Sequence, residues 1–378
     1  MRHPGAWHSG GCFRCNMVTT SSSASPAQPR ARTRALRVGF LALTDAAPLI
    51  VAQELGLFAR HGLQVELRRE IGWATIREKV IFGELEAAQA PAPLLWSMQL
   101  GLGCIRCNVV TALVLNLHGN AITLSRALWE SGVRDAATLR EHLGKRRSGE
   151  PLTLGMVFPY SSPHLLLRTW LRKGGIDPDN DVRLVVVPPA QMFRNLRAQT
   201  IDGFCAGEPW NTLAVLEGEG WCPSWSAAQP PLGPEKVLLV TQHFAANRPE
   251  EHAALVSALA EAGHWCDEPQ HRLQLAGLLA QPRWLNLPAR ALSPGLLGPF
   301  DCGHGRILQV PDFLVFQRGD AGVPSLDKAL ELQSSLGQAG LIPAAAAGDR
   351  SLARRLFRED LHRHALSAHH PAFATPTL

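Results

Sequence analysis

Gly72 and Trp73 stand at the predicted start of a helix, where the first backbone N–H groups have no partner inside the helix, and such a terminus favours a small anion. The indole N–H of Trp73 adds a side-chain donor and its ring could wall a cleft, although the same residue also reads as a core tryptophan, one of 10 in the chain. Acid–base and covalent chemistry find no comparable pattern. The sequence shows no paired carboxylates, nucleophile elbow, glycine-rich phosphate loop or HisxxxHis metal pair, so binding outranks catalysis. Two CxxC pairs, Cys12/Cys15 and Cys104/Cys107, could together make a four-thiolate zinc site. One pair falls in a tail rich in Ser, Ala, Pro and Arg, the other in an apolar stretch after GlyLeuGly. Free thiols in a reducing compartment are therefore expected, with neither metal nor cofactor.

The elements that would position Gly72 and Trp73 alternate. Period-two apolar residues from Val38 to Leu43 predict a strand, and Thr44 or Asp45 can cap a helix running to about Leu55. A strand at 64 to 69, a helix at 74 to 82 and strands near 85 to 89 and 111 to 116 follow. A second set comprises a helix at 136 to 143, a strand at 152 to 157, a helix at 164 to 173 ended by Gly174 and Gly175, a strand at 183 to 187, a helix at 191 to 198 and a strand from Ile201. Such alternation argues for βαβ units around mostly parallel sheets. Pro- and Gly-rich residues 230 to 234 mark a return crossing, and an amphipathic helix is expected over 250 to 266. The expected architecture is thus α/β, a two-lobed clamp with two chain crossings and its ligand in the cleft. Its parts are a disordered basic tail (1 to 36), the first part of lobe 1 (37 to 125), lobe 2 (126 to 234), the completion of lobe 1 (235 to 345) and a C-terminal helix and tail (346 to 378).

The 378 residues suffice for two lobes with a core each. The formal net charge of +5 comes wholly from the tail, where Arg2, Arg14, Arg30, Arg32 and Arg34 face no Asp or Glu. Beyond it, basic and acidic side chains balance, which argues against a nucleic-acid face. The tail lacks the apolar run of a secretory signal, and no stretch reaches the roughly 20 apolar residues of a membrane helix, so a cytoplasmic, non-membrane protein is expected.

Several motifs in order resemble the solute-binding proteins for nitrate and bicarbonate, of the periplasmic-binding-protein type II fold. They are the segments from Val38 to Pro48 and Gly72 to Lys79, GlyGluLeuGluAlaAlaGln at 83 to 89, LeuAsnLeuHisGlyAsnAlaIleThrLeuSer at 115 to 125, and MetValPheProTyr at 156 to 160. ArgLeuValValValProPro at 183 to 189, IleAspGlyPheCysAlaGlyGluProTrpAsn at 201 to 211 and ProGluLysVal at 234 to 237 complete the set. The resemblance spans roughly residues 37 to 310 and implies that Trp73, Asn120, His164 and Lys236 contact the ligand, with Gly72, Ala74, His118, Glu208 and Pro209 beside them. Each has a plainer reading: a left-handed turn for Asn120, a capping or surface role for His164, a solvated charge for Lys236, a structural or hinge role for Glu208.

Nitrate only accepts hydrogen bonds, so a selective pocket should present donors and one fixed positive charge. Members that resemble nitrate binders have Lys at the position of Lys236 and those that take bicarbonate have Glu, which suits bicarbonate's O–H. The resemblance therefore implies nitrate or nitrite. It further implies a cytoplasmic sensor that sequesters an RNA-binding antiterminator and releases it when ligand closes the clamp. The alternative is the extracytoplasmic binding subunit of an ABC importer. An enzyme of similar fold, of the thiamine-precursor type, is disfavoured because its cysteine-rich motif is missing.

Overall fold

The computed structural model describes residues 34–145, 151–228 and 233–368. Two mixed sheets carry the fold. The first has seven strands, ordered Leu314–Val315, Val114–His118, Pro234–Thr241, Ala87–Pro91, Leu36–Phe40, Val65–Arg69, with Val109–Val110 also pairing with Pro234–Thr241. The second has five, ordered Gly220–Trp225, Asn120–Ser125, Gly203–Gly207, Leu152–Met156, Val182–Val186.

Between strands, parallel pairing is confined to the βαβ units. Leu36–Phe40 runs parallel to its two neighbours, and Leu152–Met156 does the same in the second sheet. Strands that arrive by a crossing enter antiparallel, as Pro234–Thr241 does against Ala87–Pro91 and Asn120–Ser125 against Gly203–Gly207. The sheets are therefore mixed rather than mostly parallel.

Three expected boundaries move. Asn120–Ser125 belongs to the second sheet, so the chain leaves the first at Gly119 and not at residue 125. There His118 and Gly119 both take positive φ, 63° and 92°, which reverses the chain between two strands. Leu36 already lies in the first strand, so the expected tail ends before it. The single expected C-terminal helix is two, Arg350–Leu356 and Glu359–Ala368, because Phe357 leaves the helix to bridge Thr111 while Arg358 N–H donates to the Thr111 carbonyl. The second of these helices packs on the 19-residue helix Pro249–Asp267, which in turn covers Ala47–Glu54. The C-terminal segment thus builds the first lobe's core rather than trailing from it.

Most of residues 1 to 36, with Cys12 and Cys15, lie outside the described residues, as do most of the 230 to 234 crossing and residues 369 to 378. Cys104 and Cys107 are free and half-buried. Among the described residues no group of three or more His, Cys, Asp or Glu could hold a metal ion, and no helix is long and apolar enough to cross a membrane.

Candidate functional site

Lys236 lies on a central strand of the first sheet, opposite Pro91 on one side and Asn116 on the other, and the register against Val114–His118 shifts on both sides of it. Consecutive residues of a regular strand point to opposite faces, and a bulge relaxes that rule. Here Glu235 and Lys236, neighbours in sequence, meet: Lys236 Nζ donates to Glu235 Oε1 at 2.5 Å. A second carboxylate arrives from the loop after the first strand, Asp45 Oδ2, 2.7 Å from the same nitrogen. All three side chains are buried, with 1–2% of their surface exposed.

Asp45 caps no helix, contrary to expectation. Its Oδ1 accepts from Gln89 Nε2 at 2.5 Å, while Gln89 Oε1 accepts from the Leu41 backbone N–H, so a central-strand amide fixes the loop that carries the carboxylate. Burial works against the Lys236 ammonium, and the two carboxylates outweigh it and hold its pKa above the ordinary lysine value. Two acids around one ammonium leave one negative charge unbalanced. Burial correspondingly pushes the Asp45 carboxyl above the usual range, against the pull of Lys236. Lys236 is therefore no solvated surface charge, and it is also not the free cation the sequence reading asked for.

Trp73 opens the helix Trp73–Ile81 behind Gly72, with its ring centroid 5.5 Å from Lys236 Nζ. It is buried, and its Nε1 has no hydrogen-bond partner among the described residues. Ala74, next on the helix, is exposed. Asn120 begins its strand with extended pairing to Gly207, so the left-handed turn reading passes to His118 and Gly119. Asn120 Oδ1 is buried without a partner. A Cβ on Gly207 would lie 3.3 Å from Asp45 Oδ2 and 3.5 Å from Asn120 Oδ1, so both sheets meet at that glycine.

His164 sits in the first turn of Ser162–Lys173, whose cap is Ser161: the Ser161 hydroxyl accepts from the His164 backbone N–H. Its Nδ1 is 2.7 Å from the Pro159 carbonyl oxygen, and its Nε2 is buried with no partner. Burial, opposed by the Pro159 carbonyl, pulls its pKa down to about 4. Phe158, just before this helix, lies under the Arg77 guanidinium of the Trp73 helix, with Cζ 5.4 Å from the ring centroid, which brings this segment against that helix.

Glu208 joins both sheets through its backbone, donating N–H to the Gly119 carbonyl and accepting the Thr44 N–H. Its carboxyl faces away from water, Oε2 accepting from the Thr212 backbone N–H and Oε1 unpartnered. Burial raises its pKa to about 7. A carboxyl raised in the fold lends stability that is complete below its unfolded pKa and lost as pH climbs to about 7. Glu208→Gln is therefore expected to be more stable than the parent at pH 8 by about 1–3 kcal/mol and to show no advantage at pH 4, by chemical denaturation at both pH values. An equal effect at the two would exclude a buried titrating carboxyl. Pro209 follows through a cis peptide and caps Trp210–Leu216.

Trp73, Asn120 and Lys236 thus converge around Asp45, with His164 on the opposing helix start. Asp45, Glu235 and Gln89 escaped the sequence reading as site residues, although ThrAspAlaAlaPro and the Gln of AlaAlaGln were visible motifs. A bilobed α/β frame with unpartnered polar atoms buried between its two sheets defines a solute-binding class, and the comparisons agree. The chain belongs to the NMT1-like family, which matches residues 30–280. It is similar to the nitrate/nitrite binding protein NrtA of Synechococcus elongatus, 30% identical over 93% of this chain and 83% of that protein. It is 40% identical to the nitrate import ATP-binding protein NrtC of Synechocystis sp. over 81% of this chain, and spans about half the length (46%) of that relative. The crystal structure of the periplasmic nitrate-binding protein NrtA from Synechocystis superposes with a TM-score of 0.83 at 27% identity, covering 88% of each chain. The fold is the periplasmic-binding-protein-like clamp with two curled sheets.

Proposed function

We propose that this chain binds nitrate, or its congener nitrite, between its two sheets. The observation that carries the reading is the Trp73 indole N–H, buried without a partner among the described residues and beside the Lys236 ammonium, since a buried donor without a partner is costly unless a ligand completes it. The similarity to NrtA supports nitrate, while similarity to the bicarbonate transport ATP-binding protein CmpC, 39% identical over 82% of this chain, makes bicarbonate the anion to test against it. Titration calorimetry with nitrate, nitrite and bicarbonate tests it, and heat from bicarbonate alone or from none would overturn it.

Trp73→Phe isolates one donor. It keeps an aromatic wall and removes an N–H that nothing among the described residues accepts, so nitrate affinity should fall about 5- to 30-fold, the worth of roughly 1–2 kcal/mol of hydrogen bonding to a charged group, beside a packing cost of about 1 kcal/mol for the smaller buried ring. Lower stability with unchanged affinity would make Trp73 a core residue.

On the same reading, the chain is a cytoplasmic sensor that holds an RNA-binding antiterminator in its open form and releases it when nitrate favours the closed form. The charge balance outside the Arg-rich first 36 residues supports this, since RNA binding would then belong to the partner. The importer alternative, a solute-binding subunit of an ABC transporter, draws on the same relatives, NrtA and NrtC. Fractionation of the native cell with gel filtration of the candidate complex separates them. A complex that nitrate dissociates supports the sensor, and export to an extracytoplasmic compartment supports the importer.

A further inference from the structure

The Pro159 carbonyl can only accept, so at 2.7 Å His164 Nδ1 must carry a hydrogen. In a neutral imidazole the other nitrogen, Nε2, then presents a lone pair. Nε2 is the buried atom left without a partner, and nitrate offers nothing but lone pairs. The two repel unless a hydrogen comes between them. Lys236 already gives two of its three N–H groups to Asp45 and Glu235, and its remaining donor does not remove the repulsion at Nε2.

Resting on the nitrate reading, we propose that nitrate enters this site together with a proton, taken from solvent onto His164 Nε2, so that an imidazolium with both N–H groups donates to Pro159 and to the anion. The charged groups acting on the ring are Arg168 and Arg172 on its own helix, which oppose protonation, and Asp179 on the following loop, which favours it. Arg168 and Asp179 are themselves paired, at 2.7 Å and 2.5 Å, and offset one another. Against the helix pack the strands Leu152–Met156, Gly203–Gly207 and Asn120–Ser125 and the helix Ala136–Lys145. The strands carry a single ionisable side chain, the Cys205 thiol, which burial keeps protonated, and the helix carries Arg140, Glu141, His142 and Lys145. Tyr160, on the preceding loop, has its pKa raised by burial and stays neutral. Of the charged groups acting on the ring, only Asp179 favours its protonation, and Asp179 is held by Arg168. The sign follows: the empty ring is neutral above about pH 4, the bound anion raises its pKa, and affinity falls as pH rises through the interval between the two values.

The test titrates the full chain with nitrate at pH 5, 6 and 7 in pairs of buffers of different ionisation heat. The expected result is an association constant that drops up to about tenfold per pH unit with close to one proton taken up per nitrate. Equal constants at all three values with no proton uptake would overturn the proposal and leave nitrate binding intact. Absence of nitrate binding at every pH would instead bring down the nitrate reading, and this proposal with it. Imidazole nitrogen NMR locates the proton, using His164→Gln to assign the signal: Nε2 should change from a lone-pair to an N–H resonance on adding nitrate. An Nε2 that keeps its lone pair while protons are taken up would place them elsewhere, on Asp45 for instance, and would also overturn it.

Discussion

Lys236→Met should destabilise the protein by about 3–5 kcal/mol, because it leaves Asp45 and Glu235 facing each other in the interior without their cation. Methionine matches the length of the lysine stem, so packing loss is small and the cost is electrostatic. The sign with pH follows from the carboxylates. Once the ammonium is gone, the buried Asp45 carboxyl, already raised, favours its protonated form still more, so the variant's deficit should narrow as pH falls toward about 4 and be widest near pH 8. Urea unfolding at pH 4.5 and pH 8 reads both quantities. A deficit below about 1 kcal/mol, or one independent of pH, would show that the three groups do not form a buried ionic unit. Lys236→Glu, the change that would imitate a bicarbonate binder, would place three carboxylates together. Its loss of nitrate binding would report folding as much as recognition.

Asp267→Ala is expected to cost a similar amount, about 3–5 kcal/mol, for a different reason. At the end of the 19-residue helix, Asp267 accepts from the backbone N–H groups of Phe316, Gln317 and Arg318 and from Arg272 Nη2 at 2.7 Å. Arg272 is itself buried, enough that its pKa is lowered, and Alanine would strand it with a carbonyl or two for company. The segment so anchored begins with Leu314 and Val315, which pair with His118 and Leu117 at the chain crossing. Loss of the anchor should therefore weaken ligand binding as well as stability, although Asp267 touches no candidate ligand contact. Unfolding midpoints and a nitrate titration on the same sample check this. A fully stable variant would mean that water replaces the carboxylate at every one of its partners.

Much of the frame was legible in the residues. Alternation of apolar periods marked the βαβ units from Val38 to Ile81 and from Leu152 to Gly207, because short-range pattern and turn chemistry decide such units locally. Long-range pairing was not. Nothing around Asn120 says that its strand joins Gly203–Gly207 in the other sheet, and nothing near Phe357 says that it will break a helix to meet Thr111. Those choices are made by contacts between residues far apart in sequence.

The site divides in the same way. By itself the sequence placed Trp73 at a helix start and His164 behind a Ser–Pro turn, since each belongs to a local motif that the neighbouring residues dictate. Only the tertiary structure decided their electrical state. A bulge turned Glu235 onto Lys236, a loop some 190 residues earlier supplied Asp45, and a carbonyl five residues back set the His164 tautomer. Charge and protonation depend on burial and on partners in space, neither of which a linear pattern of residue types records.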